Sequence, residues 1–297
     1  MTIRDSGRLV DVIVVVPARD EVDRIASCLH SVRISLRQAV RAGAVGHVAV
    51  AVVGHHCTDD TLGRADQVLA DLPHVLVTDS TSTSVGDVRA LGVRAALDVL
   101  PGRRADPAAS RRPSRGGAAR EVWILNTDAD SIVPGSWVTD VLAHAREGHQ
   151  AVIGMAALSH ARIAAALGAT GVRGEAGAPG AAGAPGARGS ARAARTSAAQ
   201  TAYRTIIRAG IHGDSHDHVY GANLAVRADA YAAVGGFPSV PVGEDRALTD
   251  ALVGHGRPVL RPRDVLVTTS ARRHGRAVGG LATLLDTLDR AYGQERH

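Results

Sequence analysis

Four short apolar runs constrain this chain more than anything else in it: VDVIVVVP from Val10, HVAVAVVG from His47, HVLVTD from His74 and EVWILN from Glu121. They are too short for helices, rich in β-branched residues and without polar alternation, so they read as strands buried on both faces. The first three are each followed by a helical stripe: Ile25, Cys28, Leu29 and Val32; then Ala65, Val68, Leu69 and Leu72; then Val88, Leu91, Ala95 and Val99. Asp20 is placed to cap the first of these helices, and Cys28 lies on its apolar face. Strand and helix in alternation imply an α/β fold with a parallel sheet covered on both sides. QAVIGM from Gln150 reads as a fifth strand. Downstream, a helix-prone stretch around Ala191 to Ile211, a strand-like RPVLRPRDVLVTTS and a C-terminal amphipathic helix continue the same sheet rather than start a second domain.

In sheets of this kind the ligand crevice lies at the carboxyl ends of the strands. The polar clusters PARDE, GHHCTDD and NTDAD all fall there. Asp128-Ala129-Asp130 is the sharpest of them, because two carboxylates one residue apart in an extended turn can face one hard cation, Mg2+ or Mn2+, bridging a diphosphate. His212, Asp214, His216, Asp217 and His218 form a second dense cluster, and His55, His56 and Cys57 a third. Either has the residue types of a zinc site, but neither is joined to a second ligand group at fixed spacing.

Composition removes several alternatives. There is no lysine, so all 34 cationic side chains are arginine, and no G-K-[ST] phosphate loop exists. Aromatics make up 2% of the chain, too few for a platform that stacks single-stranded nucleic acid. The net charge of +5 gathers in the Pro/Gly/Ser-broken segment Pro101 to Arg120, which reads as a solvated loop and not a nucleic-acid patch. Two cysteines fit a reducing, cytoplasmic setting. No apolar run reaches the length of a membrane span, which leaves peripheral association open.

The ordered set VVVPARDE, CTDDT, SVGDVRALGVRAAL, LNTDADS, GANLAVRADAYAAVGGF and GEDRAL resembles glycosyltransferase family 2 from about Val10 to Gly280. The resemblance implies a single GT-A (Rossmann-like) domain over 8–280, with a mixed central sheet flanked by helices. A nucleotide-sugar-binding half would span 8–130 and an acceptor half 131–280. An arginine-rich loop (102–119), a Gly/Ala-rich insertion (166–196) and a C-terminal helix (281–297) would be added to it. The family's activity would be metal-dependent, inverting transfer of a sugar from a nucleotide-diphosphate sugar to the hydroxyl of a small-molecule or lipid-linked acceptor.

Carried over position by position, the resemblance implies that Pro17, Arg19 and Glu21 line the nucleoside. It places Arg89 at the diphosphate, with a plain salt bridge to Asp87 or Asp59 as the alternative. Asp128 would contact ribose or metal, and Asp130 would bind the metal. Asp245 would be the general base with Glu244 orienting it, and repulsion between these neighbours would raise one of their pKa values. Gly221, Asn223 and His218 would line the acceptor pocket. Arg272 and Arg273 would clamp the diphosphate and His274 would add a metal ligand. Many family members have an Asp just after the second strand that pairs with uracil; here Gly54 or His55 stands there, which leaves the donor base open.

Two other readings compete. Sugar nucleotidyltransferases share the half-fold but resemble one another in a glycine-rich first loop and essential lysines, both lacking here. A catalytically degenerate GT-A domain serving as a binding or scaffold module is the non-enzymatic alternative. The run GATGVRGEAGAPGAAGAPGARGS has glycine at every third position from Gly168 to Gly189 but only Pro179 and Pro185, so it lacks the proline of collagen. A rod of that length would hold its ends roughly 70 Å apart, whereas a Gly/Ala coil averages about 25 Å. The segment therefore reads as a low-complexity insertion.

Overall fold

The computed structural model describes residues 10–102, 120–159, 198–270 and 287. In chain order these residues form β1 (Val10–Ala18), α1 (Ile25–Arg41), β2 (Val45–His55), α2 (Thr61–Leu69), β3 (His74–Asp79), α3 (Val85–Val99), β4 (Glu121–Asn126) and β5 (Ser131–Ile132). They continue with α4 (Trp137–Arg146), β6 (Ala151–Ile153), β7 (Met155–Ser159), α5 (Ala198–Ala209), β8 (Ile211–His212), β9 (Ser215–His216) and β10 (Leu224–Arg227). The last described elements are α6 (Ala228–Ala233), α7 (Glu244–Gly254), β11 (Val259–Leu260) and β12 (Leu266–Ser270). The central sheet has the order β11-β6-β10-β4-β1-β2-β3. Strands β4, β1, β2 and β3 are parallel, and β10 runs antiparallel to both β4 and β6. A smaller sheet, β5-β12-β7, and the hairpin β8-β9 stand beside it.

The strand runs are buried on both sides because successive side chains alternate between faces. Val12, Val14 and Val16 pack with Ile25, Cys28, Leu29 and Val32 of α1. Ile13 and Val15 pack on the other face with Val93 and Ala96 of α3 and with Leu248 of α7. In a core this poor in aromatics, Trp123 and Trp137 are both fully buried. No helix among the described residues is long and apolar enough to cross a membrane.

Several local expectations are corrected. Asp20 does not cap α1, which begins at Ile25 after Arg24 and has no side-chain cap; the loop between them instead carries Asp20 across to the CTDD loop. The buried stripe of α3 is Val88, Arg89, Gly92, Val93 and Ala96, while Val99 is exposed. An apolar count cannot find a stripe made partly of glycine and arginine. QAVIGM is split between two sheets at Gly154, where a Cβ would stand 2.1 Å from Asn223 Nδ2 and 2.5 Å from the Val265 carbonyl. RPVLRPRDVLVTTS likewise divides into β11, in the central sheet, and β12, in the smaller one. The expected arginine-rich loop (102–119) beyond Gly102, the Gly/Ala-rich insertion (166–196) and the C-terminal helix (281–297) lie outside the described residues, apart from helical Thr287.

Gly92 lets α3 sit close on the sheet, since its Cβ would lie 2.6 Å from Val15 Cγ1 and 3.0 Å from Val53 Cγ2. Ala at an interior helix site gains about 1 kcal/mol in propensity, but overpacking two fixed β-branched side chains costs about 1–3 kcal/mol. The expected outcome for Gly92→Ala is a net loss of about 1 kcal/mol, read as a lower urea midpoint at unchanged m-value.

Candidate active site

The ends of β1 and β2 pair in register, Ala18 opposite Gly54, so the loops that follow them meet. Asp20 adopts a left-handed conformation, φ +49°, and its Oδ1 accepts from the Thr58 amide at 2.6 Å and the Asp59 amide at 3.3 Å. The Glu21 amide donates to Thr61 Oγ1 at 2.8 Å, and its carboxylate, buried, lies 3.6 Å from Arg24. Pro17 is half-buried and Arg19 is exposed. Among the described residues, Asp20, Cys57 and Asp59 are the one set of three potential metal ligands whose ligand atoms all lie within 4.8 Å of one another. Their carboxylates already bind loop amides, so the group acts as a clasp between the PARDE and CTDD loops.

His55 closes β2 and Asp79 closes β3. The two are partners in the ladder, with Nδ1 and Oδ2 2.9 Å apart. Burial raises the Asp79 pKa, but hydrogen bonds from Ser82, Thr81 and His55 outweigh it and hold the carboxyl well below the usual range. A depressed carboxyl contributes stability above its unfolded pKa and loses it as pH falls toward the folded one. Asp79→Asn is therefore expected to melt below wild type at neutral pH, with the gap closing as pH drops below 3.8; parallel melts across pH check it.

The middle of the site is Arg89, only 2% exposed. It sits one turn into α3, whose start is set by a capping box: the Asp87 amide donates to Ser84 Oγ at 3.1 Å and the Ser84 amide to Asp87 Oδ2 at 3.1 Å. Asp87 also accepts from Ser239 at 3.0 Å. Arg89 therefore pairs with neither Asp87 nor Asp59. Its Nη2 donates to Asp128 Oδ1 at 2.7 Å and its Nε to Glu244 Oε1 at 3.3 Å. Burial lowers the Arg89 pKa, yet Asp128 and Glu244 raise it further and keep it charged. Its Nη1 is buried without a partner among the described residues.

Glu244 opens α7 after Gly243, which takes φ +83°; that left-handed turn requires glycine. Burial is the main cause raising the Glu244 carboxyl; Arg89 pulls it down less strongly, and neighbouring Asp245 pushes it up. The raised member of the acidic pair is thus Glu244, and desolvation matters more than repulsion. Asp245 is held separately: its Oδ2 accepts the Gly221 amide at 2.8 Å and its Oδ1 the Arg246 amide at 2.7 Å. Glu244 bonds to Arg89 and so does not orient Asp245 directly. Gly221 must lack a side chain, because a Cβ would lie 2.5 Å from Arg89 Nη2.

Asp130 is buried, with Thr269 Oγ1 of β12 at 3.5 Å. Behind it, fully buried Cys28 donates to the Asp128 carbonyl at 3.2 Å, and burial followed by the charges of Asp130 and Asp128 pushes its thiol up. Asn223 does not line a pocket with its side chain. Its Nδ2 donates to the carbonyls of Met155 at 2.9 Å and Val265 at 3.0 Å, and its Oδ1 accepts from Trp137 Nε1 at 2.8 Å. It ties the two sheets together beneath the site. His218 bonds to the Ile207 carbonyl at 2.9 Å and stacks between His216 and Tyr220, and His212 pairs with Asp217 at 2.7 Å. Arg272, Arg273 and His274 lie outside the described residues.

The sequence reading missed Asp79 and the link from Arg89 to Glu244. The strand-end logic that singled out NTDAD applied equally to HVLVTD and would have found Asp79. No local signal marks the second.

No family model matches the chain, and no curated protein matches it significantly. Solved structures do. S. aureus TarS 1-349 in complex with UDP-GlcNAc superposes with a TM-score of 0.55 at 14% identity, covering 91% of this chain and 61% of TarS 1-349. The mannosyltransferase PcManGT from Pyrobaculum calidifontis, in complex with GDP-Man and Mn2+, superposes with a TM-score of 0.51 at 18% identity, covering 91% of this chain and 59% of its own. The chain thus spans about three fifths of the length of the structures it matches. What it shares with them is the GT-A fold, a mixed central sheet flanked by helices.

Proposed function

We propose that this chain is a metal-dependent, inverting glycosyltransferase that moves a sugar from a nucleotide-diphosphate sugar to an acceptor hydroxyl. The observation that carries the reading is the convergence of the D-A-D motif and the acidic pair on one buried guanidinium, Arg89. The bound molecules of TarS and PcManGT, UDP-GlcNAc and GDP-Man with Mn2+, add support.

The residues present fit a divalent cation. Asp128 and Asp130 offer hard carboxylate oxygens suited to Mg2+ or Mn2+, and Arg89 occupies only Oδ1 of Asp128. When bound, the cation offsets charge on the departing nucleotide diphosphate. The chain's own groups do the rest. Asp245, aimed by the Gly221 amide, accepts the proton of the acceptor hydroxyl as the attack begins. Arg89 keeps Asp128 and Glu244 at fixed separation, and its Nη1 is left for an anionic oxygen. Pro17, Arg19, Glu21 and His55 surround the nucleoside, Gly221 and His218 the acceptor. Arg272 and Arg273 at the diphosphate and His274 at the metal complete the proposal on the resemblance alone.

The test is a melting series with UDP-, GDP- and dTDP-sugars, each with and without Mn2+. A ligand at a hundred times its Kd adds about 2.7 kcal/mol of stability. The expected outcome is a shift with at least one donor that requires Mn2+ and disappears in Asp130→Ala. A shift independent of metal would sink the Asp130 assignment. Metal-dependent binding without turnover on any acceptor would favour a scaffold module.

A further inference from the structure

His55 and Asp79 form a hydrogen-bonded polar pair at the carboxyl ends of β2 and β3. Three donors, the amide and hydroxyl of Thr81 and the amide of Ser82, converge on Asp79 Oδ1 at 3.1, 3.1 and 3.2 Å. Only Oδ2 is left for His55. An ionised carboxylate accepts and does not donate, so in the neutral imidazole the hydrogen sits on Nδ1 and Nε2 carries a lone pair. No hydrogen bond to that Nε2 comes from the described residues, and the side chain is 20% exposed. The His56 ring stands edge-on to it, centroids 4.3 Å apart. The β1 end with Pro17 and Arg19 is the neighbouring strand end.

We infer that His55, locked in one tautomer by Asp79, reads the base of the donor nucleotide and selects bases whose edge offers a ring N–H, namely uracil, thymine or guanine, over cytosine and adenine. The inference rests on the nucleotide-sugar reading above. A lone pair fixed in position accepts from uracil N3–H or guanine N1–H, whereas the corresponding nitrogens of cytosine and adenine are themselves acceptors. Two facing acceptors leave a desolvated group unpaired, which is the stronger form of discrimination.

The tautomer can be switched with one atom. In Asp79→Asn the carbonyl oxygen must take the Oδ1 position to keep three donors satisfied, which turns the amide nitrogen toward His55. That nitrogen donates to Nδ1 and moves the ring hydrogen to Nε2, converting the reader from acceptor to donor.

The experiment titrates UDP, CDP, GDP and ADP with Mn2+ into wild type, Asp79→Asn and His55→Ala at pH 8 by calorimetry, with a melt of each variant as the folding control. Matched pairs hold ring size constant. Wild type is expected to bind UDP over CDP, or GDP over ADP, by roughly ten-fold or more. Asp79→Asn is expected to bring that ratio to one or invert it, and His55→Ala to flatten it. Should Asp79→Asn fail to fold, His55→Ala decides. A ratio near one in wild type, or a preference that survives either substitution in folded protein, overturns the inference. Failure of all four nucleotides to bind with Mn2+ overturns the nucleotide reading beneath it.

Discussion

Arg89→Met is expected to unfold about 3–5 kcal/mol more easily than wild type and to lose the proposed sugar transfer altogether. The cost follows from what the substitution leaves behind, because removing one member of a buried ion pair strands the others without compensation. Glu244 is buried and already pushed up by desolvation, and Asp128 loses its 2.7 Å contact. For a chain of this size the loss corresponds to a fall in Tm of roughly ten degrees. Its pH dependence has a definite sign. A carboxyl whose folded pKa is raised contributes stability at low pH and loses it as pH rises through that pKa. The Arg89→Met deficit should therefore widen as pH climbs above 4.5, the ordinary glutamate value, and narrow in acid. Adding Glu244→Gln should recover part of the stability but none of the transfer. Wild-type melting and turnover in Arg89→Met would show that the joint carries no function.

Asp245→Asn should separate chemistry from folding in the opposite way. The amide oxygen can still accept one of the two backbone N–H groups that now converge on the carboxylate, from Gly221 and Arg246, so the expected stability loss is about 1 kcal/mol for the other. A general base supplies about 10²–10⁴ in rate, and kcat should fall by that factor. The Mn2+-dependent melting shift with donor should persist, since the proposed role of Asp245 is toward the acceptor. A variant retaining full kcat would remove Asp245 as the base, and attention would move to Glu244.

Much of the fold was legible because strand and helix periods are written into stretches of ten residues or so. Val12 to Val16 needed no partner to announce a strand buried on both faces, and Asp128 and Asp130 were found because they follow such a strand. The errors arose where a local signal had a competing tertiary use. Asp20 has a capping side chain, but a loop across the crevice offers it the Thr58 and Asp59 amides instead. The resemblance put Asn223 at the acceptor pocket, yet Trp137, Met155 and Val265 use its side chain.

The order of strands and helices, the poles at which the acids collect and the exclusion of a lysine-based phosphate site follow from the residues alone, since each depends on near neighbours in the chain or on composition. The joining of Asp128 to Glu244 through Arg89 does not. Arg89 and Glu244 are 155 positions apart, and their contact exists because Gly86, Gly92 and Gly221 let α3 approach Pro238, the sheet and the turn at Gly221 more closely than any side chain would allow. Which acid is raised, which is held by a backbone amide and which tautomer His55 adopts were likewise settled by burial and by groups from other strands, quantities that come into being only when the chain is packed.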